Sequence, residues 1–417
     1  MSLDLVKLRA WWWQKQGLDG SLDGASAAEV LARTGWARSV GGCAPYLTLF
    51  ARAGITREQA DAAAAKLEIH ELPSARGCTY VLPAGDFALG LHAGRGFADD
   101  GALKSALRAG ATQREIDGLK ADVLKALAKG PQEPAALREQ LKVRSLGEAG
   151  KKLGVSTPLP VALGLLQQTG EIRRVSTNGR FDQERYRYAL WQPNPAKGYA
   201  DETYVELARR YFRWIGPATL KEFQWFSGLG VKTSQAATAL LELVDVGEGR
   251  LLLPGEQAAF AKFKPGGKPQ YALVSSLDGL TLLRRDHKLL LDDVDLAREV
   301  AAEKATKPLG GLSDLPSHGI FDRGRLIGLW EFDPSAGAAS NGAAEAAKGT
   351  GEGTAKDTGR GTVVWSTFSG QADKALRAEV EKTALFVREQ LGDARSFSLD
   401  SAKSRAPKIA ALRRPAS

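Results

Sequence analysis

Three times along this chain a run of amphipathic helices gives way to a short pair of β-prone stretches, and that recurrence constrains the fold more than any single motif. The clearest copy runs from Thr112 to Trp191. Thr112 and Glu115 have the spacing of a capping box, and Ile116, Leu119, Val123, Leu124 and Leu127 follow at helical intervals until Gly130-Pro131 ends the pattern. Pro134 suits the first turn of a second helix through Leu141. Pro158 or Pro160 starts a third, carrying Val161, Leu163, Leu165 and Leu166, which is the candidate recognition helix. Two β-prone runs, Glu171–Ser176 and Glu184–Trp191, then flank Asn178-Gly179, a strong hairpin-turn signal. Helix, helix, helix, hairpin is the order of a winged helix, a common DNA-docking unit.

A third copy starts at Glu202 with an amphipathic stretch to Trp214. It continues through Pro217–Phe226 and Lys232–Leu243 and ends on Val244–Gly249 and Leu251–Leu253. The first and least regular copy spans Leu3 to Pro83, with helices near Asp4–Gln16, Ala27–Arg33, Tyr46–Ala53 and Thr56–Ala65 and a hairpin over Leu67–Leu82. From Tyr271 the texture changes to strand-like runs: Tyr271–Leu277, Thr281–Leu283, Lys288–Leu291, Gly319–Phe321, Leu326–Phe332 and Thr362–Phe368. Residues 334–361 are Ala, Gly, Ser and Thr with scattered charge and read as a flexible insertion; a helix over Ala372–Leu391 and a frayed tail follow. The expectation is an α+β chain with tandem winged-helix (helix-turn-helix) units at 1–95, 96–198 and 199–265. A small C-terminal β-barrel-like domain at 266–400 and a basic tail at 401–417 complete it.

A chain of 417 residues is too long for one core, in keeping with several units in series. Lys and Arg exceed Asp and Glu by nine and the sequence pI is near 9.4, which favours a polyanionic partner where the excess clusters. It clusters on the Glu171–Trp191 hairpin: Arg173, Arg174, Arg180, Arg185 and Arg187 interleave with Tyr186, Tyr188 and Trp191. Guanidinium groups suit phosphates and aromatic rings suit bases, so double-stranded DNA is the expected partner. Met1–Arg9 lacks a secretory pattern and no run approaches a membrane span, so a cytoplasmic location without a membrane partner is expected. Cys43 and Cys78, with His70, His92, His287 and His318, show no metal-ligand spacing; neither metal nor cofactor is expected. Walker-type loops, GxSxG elbows and paired CxxC motifs are absent, which disfavours nucleotide hydrolysis, serine-hydrolase and zinc chemistry. Three repeats in one chain already give a long DNA footprint, so a monomer is expected. Trp11-Trp12-Trp13 reads as core packing, with Gln14 and Gln16 beside it able to hold a water.

Several stretches, in this order, resemble the AlkZ/YcaQ family of winged-helix DNA glycosylases, which act in crosslink repair. They are Tyr46-Leu47-Thr48-Leu49-Phe50-Ala51-Arg52, Ala75-Arg76-Gly77-Cys78-Thr79-Tyr80-Val81-Leu82-Pro83, and Gly216-Pro217-Ala218-Thr219 with Trp225-Phe226-Ser227-Gly228-Leu229. Ser276-Leu277-Asp278 with Arg285-Asp286-His287-Lys288-Leu289-Leu290, and Gly324-Arg325-Leu326-Ile327-Gly328-Leu329-Trp330, continue the likeness. The resemblance implies three winged-helix units forming a basic DNA channel closed by a C-terminal β-domain. It also implies a metal-free hydrolase that removes alkylated purines or unhooks crosslinked ones. The resemblance also implies a signature of Gln, an apolar residue, then Gln or Asp just upstream of the Tyr46 segment; counted back without gaps, those positions here are Arg38, Ser39 and Val40. A guanidinium would repel a developing sugar cation, and valine cannot orient water. Two readings follow: a glycosylase using other groups, namely Gln14, Gln16 or Asp278, or a non-catalytic DNA-binding protein serving as damage sensor or transcription regulator. The expected DNA contacts are Arg38, Tyr46, Arg76, Arg173, Arg174, Arg180, Arg185 and Arg285.

Overall fold

Local signals in the sequence set where most of the helices begin. In the computed structural model, which describes residues 3–95, 97, 99–182, 185–199, 202–302, 305–335 and 361–414, both halves of the Thr112–Glu115 capping box form at the head of Gln113–Leu127. Pro134 opens Pro134–Gln140, and Leu159-Pro160 opens Leu159–Gln168. A second complete box, Thr219 with Glu222, starts Leu220–Ser227, and Gly228 in the left-handed region ends it. Most of the insertion expected at 334–361 lies outside the described residues, which skip 336–360.

The chain forms two compact units, each assembled from separate stretches: Met1–Ser26, Val40–Ala60 and Ala258–Ser417 in one, Ala27–Ser39 and Asp61–Gln257 in the other. Residues 1–95, expected as one repeat, are thus divided between the two.

In the second unit, the three helices Gln113–Leu127, Pro134–Gln140 and Leu159–Gln168 pack with the antiparallel hairpin Ile172–Ser176 and Tyr186–Leu190. Val123, Ala126, Leu127, Leu137, Leu159, Leu163, Leu166, Ile172 and Tyr188 make one apolar core, drawn from the helical and alternate-strand positions that periodicity selects. A further core joins Ala106, Ile116, Leu146, Val155 and Val161 and recruits a helix the sequence did not suggest, Asp99–Arg108, while Leu146 and Val155 flank another, Gly147–Lys152. Beyond the Ser176–Tyr186 pair, the Thr177 N–H still donates to the Arg185 carbonyl at the mouth of the Asn178-Gly179 turn. Gly179 takes φ +79° there, and Arg180 is held by Asp182. Thr203–Ile215, Leu220–Ser227 and Val231–Ala239 form the third helical group, with a hairpin of only two residues a side, Val244–Asp245 and Leu251–Leu252. The Thr79–Pro83 strand pairs with Ile69–Pro73 as the hairpin signal suggests, and also with Ala37–Arg38, giving a three-stranded sheet.

In the first unit, the expected barrel-like domain is an open antiparallel sheet. Among the described residues its strands lie in the order Thr362–Thr367, Arg325–Asp333, His318–Asp322, Tyr271–Val274. It does not close because Lys374–Phe386 packs along both edge strands, which gives exposed edges a cover other than each other. Arg323 and Gly324, both at positive φ, make the tight turn between His318–Asp322 and Arg325–Asp333. A side chain at Gly324 would meet the Arg9 carbonyl at 2.2 Å, so only glycine fits. Two runs read as strands are helical turns instead: Gly279–Leu282, capped by the Asp278 side chain, and Lys288–Leu290. The tail expected to fray is the helix Ala402–Leu412, begun by a Ser401–Ser404 box and packed on Arg325–Asp333. Its charges are the reason: buried Arg405 donates to the carbonyls of Phe332 and Asp393, Lys408 reaches Glu331, and Arg413 reaches Asp333.

Candidate functional site

Alternation along the three-stranded sheet sorts its residues into two faces. His70, Leu72, Tyr80 and Leu82 are buried in one, where His70 meets Phe87 and Trp191 edge-on and Tyr80 meets Trp36 and Phe226. Glu71 and its cross-strand partner Val81 fall on the other. Ser39 extends the ladder by one rung, its N–H donating to the Thr79 carbonyl, and its hydroxyl donates to Glu71 Oε1 at 2.5 Å. Arg38, next in the chain, donates from Nη1 to the carbonyls of Thr79 (2.6 Å) and Ser39 (3.1 Å) and lies 5.4 Å from the Tyr80 ring centre.

Glu71 is only half-buried as a residue, yet burial of its carboxyl raises the pKa against the opposing pull of the Ser39 hydroxyl and of Arg174 and Arg38 nearby. Its only hydrogen bond among the described residues is the one from Ser39, and no Lys or Arg nitrogen there comes within 4.0 Å of it. On the neighbouring hairpin Arg174 lies across from Tyr188 and 4.4 Å over the Tyr186 ring, and the two tyrosines meet edge-on at 5.5 Å. The result is one carboxyl, one hydroxyl, two guanidinium groups and two phenols in one neighbourhood. Chemically, the carboxyl can accept a proton or face a positive charge, and the guanidinium groups can hold phosphates.

Glu71 was not among the residues singled out from the sequence. The available signal was a charged residue inside the β-prone run Ile69–Pro73, a position that an apolar side chain would normally fill.

Of the other expected contact residues, Arg173 is half-buried beside His70, Arg185 is exposed, and Arg180 is paired with Asp182. Arg76 takes φ +57° and stacks 4.0 Å over Trp225. Tyr46 is 1% exposed in the helix Ala44–Ala53, and Arg285 forms a two-pronged pair with Asp314. The helix expected to enter a groove, Leu159–Gln168, is instead buried on nearly every side, because its apolar residues serve both neighbouring cores. Val231–Ala239 is the contrasting helix, with Lys232, Thr233 and Gln235 exposed.

In the first unit, the candidate catalytic groups separate. Gln14 is exposed, whereas Gln16 and Asp278 are fully buried around Arg52. Arg52 donates to both Asp278 oxygens (2.7 and 2.8 Å) and to Gln16 Oε1 (2.8 Å). Asp278 also accepts from the Thr48 hydroxyl and the Leu280 N–H, so each of its oxygens already has two donors. Trp11, Trp12 and Trp13 are core, as expected: Trp11 packs edge-on against Phe260 and Phe263, and Arg284 lies 3.5 Å over Trp12. Val40 contributes its carbonyl, which accepts from the Ser398 N–H.

No group of three or more His, Cys, Asp or Glu able to hold a metal ion occurs among the described residues. Nor is any helix there long and apolar enough to cross a membrane. Burial lowers His70 and His318 to about 3 and His287 to about 4. These rings are therefore neutral in the folded protein at pH 5, and stability is lost as pH falls below the unfolded histidine value of about 6.5. The imidazole carbon-proton resonances of these three residues are expected to stay at neutral-ring positions from pH 8 to pH 5; a titration near 6.5 would contradict their burial.

A family model described as DNA glycosylase AlkZ-like matches residues 41–386. Among solved structures, the Streptomyces sahachiroi DNA glycosylase AlkZ has the same fold: the TM-score is 0.63 at 17% sequence identity, covering 94% of this chain and 98% of that one. No curated protein matches the sequence significantly.

Proposed function

Because this chain belongs to the AlkZ-like DNA glycosylase family, we propose that it binds double-stranded DNA and hydrolyses the N-glycosidic bond of alkylated or crosslinked purines. The observation that carries the reading is the family match across residues 41–386, which runs through both compact units. We read the helices and hairpin from Gln113 to Leu190 as a winged helix whose hairpin, rather than its third helix, meets DNA through Arg173, Arg174 and Arg185. Val231–Ala239 takes the recognition-helix role in the next repeat, with Lys232 toward phosphate and Gln235 toward a base edge. An N7-alkylpurine already carries positive charge and leaves without being protonated. The enzyme then supplies a placed water and stabilisation of an oxocarbenium-like sugar.

A second reading, a DNA-binding protein without chemistry, rests on what the resemblance implies when positions are counted back without gaps: Arg38 and Val40 in place of the family motif's amide and its amide or acid. The two separate on duplex DNA containing N7-methylguanine. The glycosylase reading expects alkali-labile abasic sites to accumulate with protein. Tight, salt-sensitive binding without abasic sites supports the second reading and contradicts the first.

A further inference from the structure

The motif positions supply no group able to place water, but the adjoining strand does. Glu71 sits in the edge strand Ile69–Pro73, on the same sheet face as the buried Val81, and accepts a hydrogen bond from Ser39, the middle residue of the motif segment. Resting on the glycosylase reading, we propose that Glu71 is the catalytic carboxylate of this chain, with Ser39 as its positioning residue.

A structural explanation of Glu71 would require an ion pair or a full set of donors, as Asp278 has around Arg52. Glu71 has neither: Ser39 fixes Oε1, while Oε2 has no hydrogen-bond partner among the described residues. Burial raises the Glu71 pKa while Oε2, which is not among the buried unpartnered atoms, stays open to a water, so the carboxyl is placed for use. Arg174 and Arg38 lie near enough to act on its charge, and both suit the phosphates flanking a target nucleotide. Arg38 is also tied to two carbonyls and the face of Tyr80.

In the step itself the water oxygen bonds to C1′ and the C1′–N9 bond breaks. Its electron pair stays on the alkylpurine, which departs neutral, and the water proton passes to Oε2 of Glu71. Before that transfer, the carboxylate faces the positive charge developing on the sugar. Ser39 keeps Oε1 engaged, so Oε2 is the oxygen presented to water.

The test is single-turnover release of N7-methylguanine from duplex DNA by the full chain and its variants, with thermal unfolding measured for each. Glu71→Gln is expected to lower the rate roughly 100-fold or more while DNA affinity stays within about threefold. Glu71→Asp should recover part of the loss, and Ser39→Ala should cost roughly tenfold. The wild-type rate should fall as pH drops through the Glu71 pKa, because the ionised form is the base, and the residual rate of Glu71→Gln should be flat over the same range. If the wild type releases base and Glu71→Gln matches it with an unchanged pH profile, the assignment of Glu71 is overturned and the glycosylase reading stands. If a folded, DNA-binding wild type releases nothing, the glycosylase reading falls and the assignment with it.

Discussion

Replacing Asp278 by alanine is expected to destabilise the protein by about 3–5 kcal/mol, lowering the unfolding midpoint of the unit that contains it by roughly 10 °C. The size follows from burial. Asp278 and the Arg52 side chain are 0% and 1% exposed, and their two-pronged pair joins the helix Ala44–Ala53 to the turn that Asp278 caps. Removing the acid leaves a buried guanidinium with only Gln16 and the Thr48 carbonyl to answer it, and water cannot replace the lost charge. The cap on Leu280 disappears at the same time. Circular dichroism on heating checks this directly; a midpoint within about 2 °C of the wild type would mean that the site is hydrated or the pair is not formed.

Trp214→Ala carries an expected loss of similar size in the other unit, about 3–5 kcal/mol. Trp214 is fully buried, lies edge-on 5.3 Å from Trp36 and 6.1 Å from Phe226, and donates its indole N–H to the Ala32 carbonyl at 2.9 Å. Alanine opens a cavity among those rings and leaves the Ala32 carbonyl without this donor. Trp214→Phe keeps most of the volume and should recover most of the loss. Urea unfolding followed by fluorescence distinguishes them: equal midpoints for wild type and Trp214→Ala would contradict the packing described.

Much of the fold was legible in the sequence because its signals are local. The capping box at Thr112, the periodicity through Leu127 and the alternation of the Ile172–Ser176 hairpin each act within a few residues, and each appears where it was expected. What was missed depends on distant partners. The Ala37–Arg38 strand is two residues long, too short to show alternation, and exists because Thr79–Pro83 offers it an edge. Thr281–Leu283 looked like a strand from its apolar content, but Asp278 four positions before Leu282 caps it into a turn. The tail helix Ala402–Leu412 is ordered by acids on a strand some eighty residues earlier.

The candidate site divides the same way. The cation-rich, aromatic hairpin could be read from composition. That Arg180 is spent on Asp182, while Arg174 lies over Tyr186 near Glu71, could not. Gln16 and Asp278 were polar residues in plausible stretches, but only packing shows that both surround Arg52. Glu71 was hidden in a run whose β character drew attention away from its charge.

The most direct test of the central claim places the unaltered protein beside an Arg38→Gln, Val40→Gln double variant on duplex DNA containing N7-methylguanine, measuring abasic sites by alkaline cleavage. Base release by the unaltered protein is expected, independent of restoring the motif. An inert unaltered protein and an active double variant would contradict it, and would mark a glycosylase scaffold that now only holds DNA.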